Sequence, residues 1–89
     1  MEHHELLQHY RDQVDTIDLE IVYLLSRRFW ISKEIWKIKK ETDMPILQEE
    51  RWDSLLTMLF EEADERWLER DFILDLWEKI HKESMRIQK

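Results

Sequence analysis

The chain has 89 residues and a mass of 11.3 kDa, which suffices for one small domain. It contains no cysteine, which excludes disulfides and cysteine zinc sites, and no glycine, which excludes the glycine-rich phosphate loops of nucleotide-binding enzymes. One proline and 39% charged residues are typical of long helices, and no apolar stretch is long enough to span a membrane. We expect a cytoplasmic, all-α protein, not associated with membranes, whose single domain covers residues 1–89.

The net charge of −7 argues against binding to nucleic acid, but the charge is unevenly distributed. Residues 1–40 hold seven acidic and seven basic side chains, so the rest of the chain carries the whole negative charge. Within residues 26–40, six bases face a single acid, Glu34. A basic strip on an acidic protein suits a small anionic ligand better than a polyanion. From charge alone, a solvated helix surface is the simpler interpretation.

The first predicted helix is very long. From Leu7 to Ile38 apolar residues recur at spacings of three and four, with no glycine or proline to interrupt them. The first break is at residues 41–45, where Pro45 disfavours helix at the preceding residue. The positions of this apolar row are Leu7, Tyr10, Val14, Ile17, Ile21, Leu24, Arg28, Ile31, Ile35 and Ile38.

Two shorter helices follow, one from about Gln48 to Asp64 and one that begins near Arg70 or Asp71. They are too short to cover an apolar row of about 35 residues, which at 1.5 Å per residue is about 50 Å long. The rest of the row needs a partner, and a second copy of the chain is the simplest one. We therefore predict an intertwined homodimer of three-helix chains.

Each predicted helix places polar residues among its apolar ones. The row of the first helix includes Arg28, and an unpaired guanidinium is costly among apolar side chains. Taken singly, each such residue is more simply explained as a core residue whose hydrogen bonds are satisfied or as a member of an ordinary salt bridge. Because all three helices share the feature and cations dominate, we predict a buried anion site. Its members are Arg28 and Lys39, then Gln48 and Arg51, then Ser84 and Gln88.

These residues carry a resemblance to the all-helical chorismate mutases over nearly the full chain. The matching positions are residues 11–18 (RDQVDTID), residues 24–28 (LLSRR), Lys39, Pro45, Arg51, Ser84 and Gln88. The resemblance implies a dimer with two shared active sites and chorismate as the substrate. It also implies an isomerase of aromatic amino-acid biosynthesis that needs neither cofactor nor metal.

The resemblance also implies a role for each site residue. Arg11 would reach the partner's site and bind the enolpyruvyl carboxylate of chorismate, and Arg28 would bind a carboxylate within its own chain. Arg51 and Ser84 would hold the ring end of the substrate. Lys39 and Gln88 would donate hydrogen bonds to the ether oxygen, on which negative charge develops as the C–O bond breaks.

Two positions depart from the family pattern. Gln48 stands where an acidic residue is common, and Trp52 stands where a glutamate usually binds the ring hydroxyl. The related isochorismate–pyruvate lyases also lack that glutamate, so such a lyase is one alternative. A non-catalytic helical dimer of the same fold is another. Gln88 lies one residue from the end of the sequence, where we expect fraying.

The remaining histidines and tryptophans suggest no separate chemistry. His4 and His9 are five residues apart, so they diverge on a helix and do not form the usual i, i+4 metal pair. His81 stands alone and is predicted to be a surface residue. The tryptophans lie at helical spacings and are predicted to belong to the core or the interface. They are at positions 30, 36, 52, 67 and 77.

Overall fold

A computed structural model describes residues 2–43 and 49–88, and in these ranges the chain forms three α-helices. They are α1 (His3–Thr42), α2 (Glu49–Glu65) and α3 (Arg70–Ile87). The prediction of one very long and two shorter helices is confirmed. Pro45 and Gln48, predicted to mark the first connection and the start of the second helix, lie outside the described residues.

The connection from α2 to α3 is a tight turn at Trp67. Its φ of 62° is in the left-handed region, and the Leu68 amide donates a 2.9 Å hydrogen bond to the Ala63 carbonyl. This bond is typical of a Schellman helix end, where glycine is the usual left-handed residue because it has no Cβ. A chain without glycine uses a tryptophan here, and that side chain is 96% exposed. Trp67 therefore lies outside the core of this chain, and its place in an interface stays a prediction.

Arg70 braces the same turn from the start of α3. Its Nε donates a 3.0 Å hydrogen bond to Asp64 Oδ1, and its guanidinium carbon lies 5.4 Å from the centre of the Phe60 ring. The hydrogen bond from Arg70 holds the pKa of the Asp64 carboxyl below its ordinary value. Both side chains are exposed, so this ion pair contributes little to stability.

The chain divides into two compact units at residue 31. The first unit consists largely of the N-terminal part of α1, and the large apolar side chains that α1 contributes to it are all at least partly exposed. No residue of α1 is buried. The second unit contains the end of α1 together with α2 and α3, which pack against each other. Among the described residues of this unit, the buried apolar ones are Ala63, Ile73 and Ile80.

The single-domain assignment of residues 1–89 stays a prediction. In the described parts of the chain, no helix is both long enough and apolar enough to cross a bilayer.

Candidate active site

The core-facing stripe of α3 becomes polar in its last two turns. Ile73 and Ile80 are buried, and Ser84 and Gln88 continue the same stripe at intervals of four residues. Ser84 is only 5% exposed and Gln88 only 9% exposed. Burying hydroxyl and amide groups costs free energy unless they are hydrogen-bonded. A buried polar end on an otherwise apolar stripe is therefore the first structural mark of a site.

Gln88 is buried at the very end of α3. Helix α3 ends at Ile87, and Gln88 is its C-cap, with φ −83° and ψ −11°. Its side chain is buried, and the expectation that this last turn frays stays a prediction. The amide is thus part of the packed second unit, as a neutral hydrogen-bond donor needs to be in order to act at a fixed point.

The end of α1 contributes a second polar row to the same unit. Ser32 and Lys39 are seven residues apart, so they lie on one face of α1, and both are half-buried. The Ser32 hydroxyl oxygen lies 3.4 Å from that of Ser84. This contact joins the polar row of α1 to the polar stripe of α3.

Helix α2 contributes Arg51 and Trp52, which differ in their surroundings. Arg51 is exposed in the first turn and lines an open depression with Glu49, Glu50 and Ser54. Trp52 is half-buried, and its ring centre lies 4.8 Å from that of His81 on α3, at an interplanar angle of 41°. Tilted ring pairs at this distance are attractive. The indole of Trp52, which stands where the family pattern has a glutamate, is therefore held against α3. The prediction that His81 is a lone surface residue is wrong, because His81 is half-buried against this indole.

Arg11 and Arg28 belong to the first unit. Arg11 is exposed, and Arg28 is half-buried. Of the eight predicted site residues, Lys39, Arg51, Trp52, Ser84 and Gln88 lie in the second unit, and Gln48 lies outside the described residues.

Two residues that contact predicted site residues in the second unit are not among the predicted ones. Ser32 contacts Ser84, and His81 contacts Trp52. A signal was present for both, since His81 is three residues before Ser84 and Ser32 is seven before Lys39. The contacts that Ser32 and His81 make with other helices depend on how the helices pack, which the spacing of residues along one helix does not determine.

Metal-binding groups are gathered elsewhere. Near the start of α1, ligand atoms of Glu2, His4 and Glu5 come within 4.8 Å of one another, but all three side chains are exposed. Nδ1 of His4 lies 3.4 Å from a carboxylate oxygen of Glu2. Exposed acidic groups of this kind are common without a metal, so this cluster defines no metal centre.

The three helices and the polar ends of α1 and α3 define an all-α protein with a polar site between helices in its second unit. The chain belongs to the chorismate mutase type II family, whose sequence profile matches residues 10–89. The all-α fold of three helices and the family expected from the sequence are thereby confirmed, and the homodimer stays a prediction.

Among curated proteins the chain is similar to two T-proteins. It is 31% identical to the T-protein of Enterobacter agglomerans over 74 residues, which cover 83% of this chain and 20% of that protein. It is 28% identical to the T-protein of Haemophilus influenzae over 80 residues, which cover 90% of this chain and 21% of that protein. The chain thus spans about a fifth of the length of these relatives. No solved structure matches it significantly.

Proposed function

We propose that this chain catalyses the rearrangement of chorismate to prephenate, a step of aromatic amino-acid biosynthesis, in the cytoplasm. The observation that carries the proposal is the buried polar end of α3, where Ser84 and Gln88 occupy positions that would otherwise be core. Membership of the chorismate mutase type II family over residues 10–89 supports this reaction over other uses of a buried polar site.

The rearrangement is pericyclic and needs no nucleophile, metal or proton transfer, so the protein acts by orientation and electrostatics. Chorismate is a flexible dianion that must be held in a compact conformer. Arg28 and Arg51 suit this task because the planar guanidinium binds a carboxylate through two hydrogen bonds and stays charged at every physiological pH. Arg51 and Ser84 hold the ring end of the substrate in this proposal, and Gln48 precedes Arg51 by three residues in the sequence.

Lys39 and Gln88 act on the bond that breaks. Negative charge grows on the ether oxygen in the transition state, so donors aimed at that oxygen stabilise the transition state more than the ground state. Lys39 is half-buried and Gln88 is buried, which supports this role because their hydrogen bonds are stronger where water is excluded. Gln88 is a neutral donor and needs no protonation to do this.

We further propose that the active unit is a homodimer with shared sites. The apolar row of α1 supports this, since residues such as Leu7, Val14 and Ile21 are each about half exposed in the single chain. Water-exposed apolar rows of this length are normally covered by a partner. Arg11 is exposed on α1, as expected of a residue that completes the partner's site.

One observation favours a second candidate. Trp52 has no carboxylate that could accept a hydrogen bond from a ring hydroxyl, because its indole nitrogen is only a donor. Its contact with His81 holds the indole in place. An isochorismate–pyruvate lyase, which lacks that glutamate, is therefore the alternative enzyme.

The proposal is tested by giving chorismate to the purified full chain after treatment with a chelator. We expect prephenate to form at a rate that the chelator does not change, and Lys39→Ala to lower that rate strongly. A folded protein that leaves chorismate unchanged at millimolar concentration would refute the proposal.

A further inference from the structure

Helix α1 carries a second apolar row on the side opposite the first, which runs from Leu7 to Ile38. Each member of the second row is two residues from a member of the first, as Leu19 is from Ile21. Two residues turn an α-helix by about 200°, so the rows lie about 160° apart, and a partner on the first row leaves the second one open. The second apolar row comprises Leu19, Val22, Tyr23 and Trp30, which are 72%, 64%, 62% and 64% exposed.

Charged residues continue this side of α1 beyond both ends of the second apolar row, and their signs are opposite. Toward the N-terminus lie Asp12 and Asp15, and toward the C-terminus lie Lys33 and Lys37. All four are exposed, and each is two residues from a member of the first row. One side of α1 is therefore acidic at one end, apolar in the middle and basic at the other end.

Two local contacts on this side of α1 leave that pattern intact. Nζ of Lys37 lies 3.1 Å from a carboxylate oxygen of Glu34, and the guanidinium carbon of Arg27 lies 5.9 Å from the centre of the Tyr23 ring. The charges of Glu34 and Arg27 offset each other, so the basic end keeps the positive charges of its two lysines. Both contacts join exposed residues of one helix, where an ion pair is worth little.

This side of α1 is complementary to a second copy of itself in the antiparallel direction. Asp15 and Lys33 are eighteen residues apart, or about five turns, so they point the same way from the helix axis. Leu19 and Trp30 are eleven residues apart, or about three turns, and both pairs are centred near position 24. Turning one copy end over end about that point sets acid against base and apolar against apolar. A parallel pairing in register would set like charges side by side.

We propose that the second apolar row is an interface between two copies of this chain, which pair antiparallel through α1. Asp15 of each copy faces Lys33 of the other, and Leu19 of each copy faces Trp30 of the other. The antiparallel direction also brings opposite ends of the two helix dipoles together. This interface goes beyond the proposed function. It is separate from the first row, which the proposed homodimer uses, so it joins one such dimer to the next.

Sedimentation equilibrium of the purified full chain tests this interface. Four apolar residues per copy make a small interface, so the association is reversible: the mass should be near twice 11.3 kDa at about 10 µM and should rise above that value toward about 1 mM. Trp30→Ala should weaken the association by about tenfold or more, because it removes the largest side chain of the row. Trp67→Ala is the matched control, since Trp67 is 96% exposed but lies in the turn before α3, and it should leave the association unchanged.

Exchanging charges tests the antiparallel direction. Asp15→Lys and Lys33→Asp each set like charges together across the interface, and each should weaken the association by about tenfold or more. The double variant Asp15→Lys/Lys33→Asp sets opposite charges together again and should recover the association of the unchanged chain. Circular dichroism compares the helix content of all variants.

A mass that stays constant over the whole concentration range would overturn the proposal. A rise that Trp67→Ala removes would also overturn it, and so would a double variant that associates no better than the single ones. The proposed function is tested separately, because the mass does not depend on chorismate. The proposed homodimer is tested by the mass at about 10 µM, where a value near 11.3 kDa would contradict pairing through the first row while the rise still reports on the second.

Discussion

The substitution Trp52→Glu restores the carboxylate that the family pattern places at this position. In the present chain the indole lies 4.8 Å from the His81 ring, so position 52 is held against α3 in the unit that contains Ser84 and Gln88. A glutamate there offers an acceptor to the ring hydroxyl of chorismate. We therefore expect Trp52→Glu to turn chorismate over faster than the unchanged chain.

One interaction gained and one lost set the expected magnitudes. A hydrogen bond to a charged acceptor is worth about 1.5–3 kcal/mol, so kcat/KM should rise by about one to two orders of magnitude. The substitution also removes the aromatic pair with His81, which is worth about 0.5–1.5 kcal/mol, and leaves a partly filled space. Trp52→Glu should thus be more active and less stable than the unchanged chain.

Two control variants isolate the effect of the carboxylate. In Trp52→Gln the new side chain has nearly the same size as glutamate but no charge, so this variant should show only part of the gain in kcat/KM. Trp67→Glu makes the same exchange at a side chain that is 96% exposed, and it should leave activity unchanged. Prephenate formation and thermal unfolding are measured for all variants. A folded Trp52→Glu protein with unchanged or lower kcat/KM would refute the assignment of position 52 to the ring hydroxyl.

Three further predictions follow from the same structure. Arg28→Ala should lower kcat/KM by an amount equivalent to about 1.5–3 kcal/mol, through both kcat and KM, because Arg28 binds ground state and transition state alike. Lys39→Ala should lower kcat more than it raises KM, and identical behaviour of the two variants would contradict their roles. Sedimentation should give a mass near twice 11.3 kDa, and a stable monomer would contradict the shared site. Mixing Arg11→Ala chains with Lys39→Ala chains should restore about one working site per mixed dimer. Trp67→Gly should raise the free energy of unfolding by about 1 kcal/mol, because glycine adopts the left-handed φ of 62° without strain, whereas Trp67→Ala should not raise it. Equal denaturation midpoints for the unchanged chain and the two variants would contradict this.

The helices were predictable because their signals are local. The apolar row of α1 and the break before Pro45 lie in consecutive residues, and α1 ends at Thr42 as that break indicates. The buried positions of Ser84 and Gln88 were also predictable, since both continue the apolar stripe of α3 at a helical spacing.

The contacts between helices were not predictable in the same way. The pairing of Trp52 with His81 and of Ser32 with Ser84 depends on how each helix is rotated about its axis, which is set by packing. The turn at Trp67 was only weakly marked because the usual glycine is absent. The hydrogen bond from Leu68 to Ala63 is the usual bond of such a helix end, but a tryptophan is not the residue that helix-end rules predict at its left-handed position.

The most direct test of the central claim supplies chorismate and isochorismate separately to the purified chain and measures prephenate and pyruvate in each reaction. The account predicts prephenate from chorismate and little pyruvate from isochorismate, because the donors expected at the ether oxygen, Lys39 and Gln88, are present. Pyruvate from isochorismate as the main product would contradict it in favour of the lyase. No product from either substrate, with the protein folded, would leave a helical binding module in place of an enzyme.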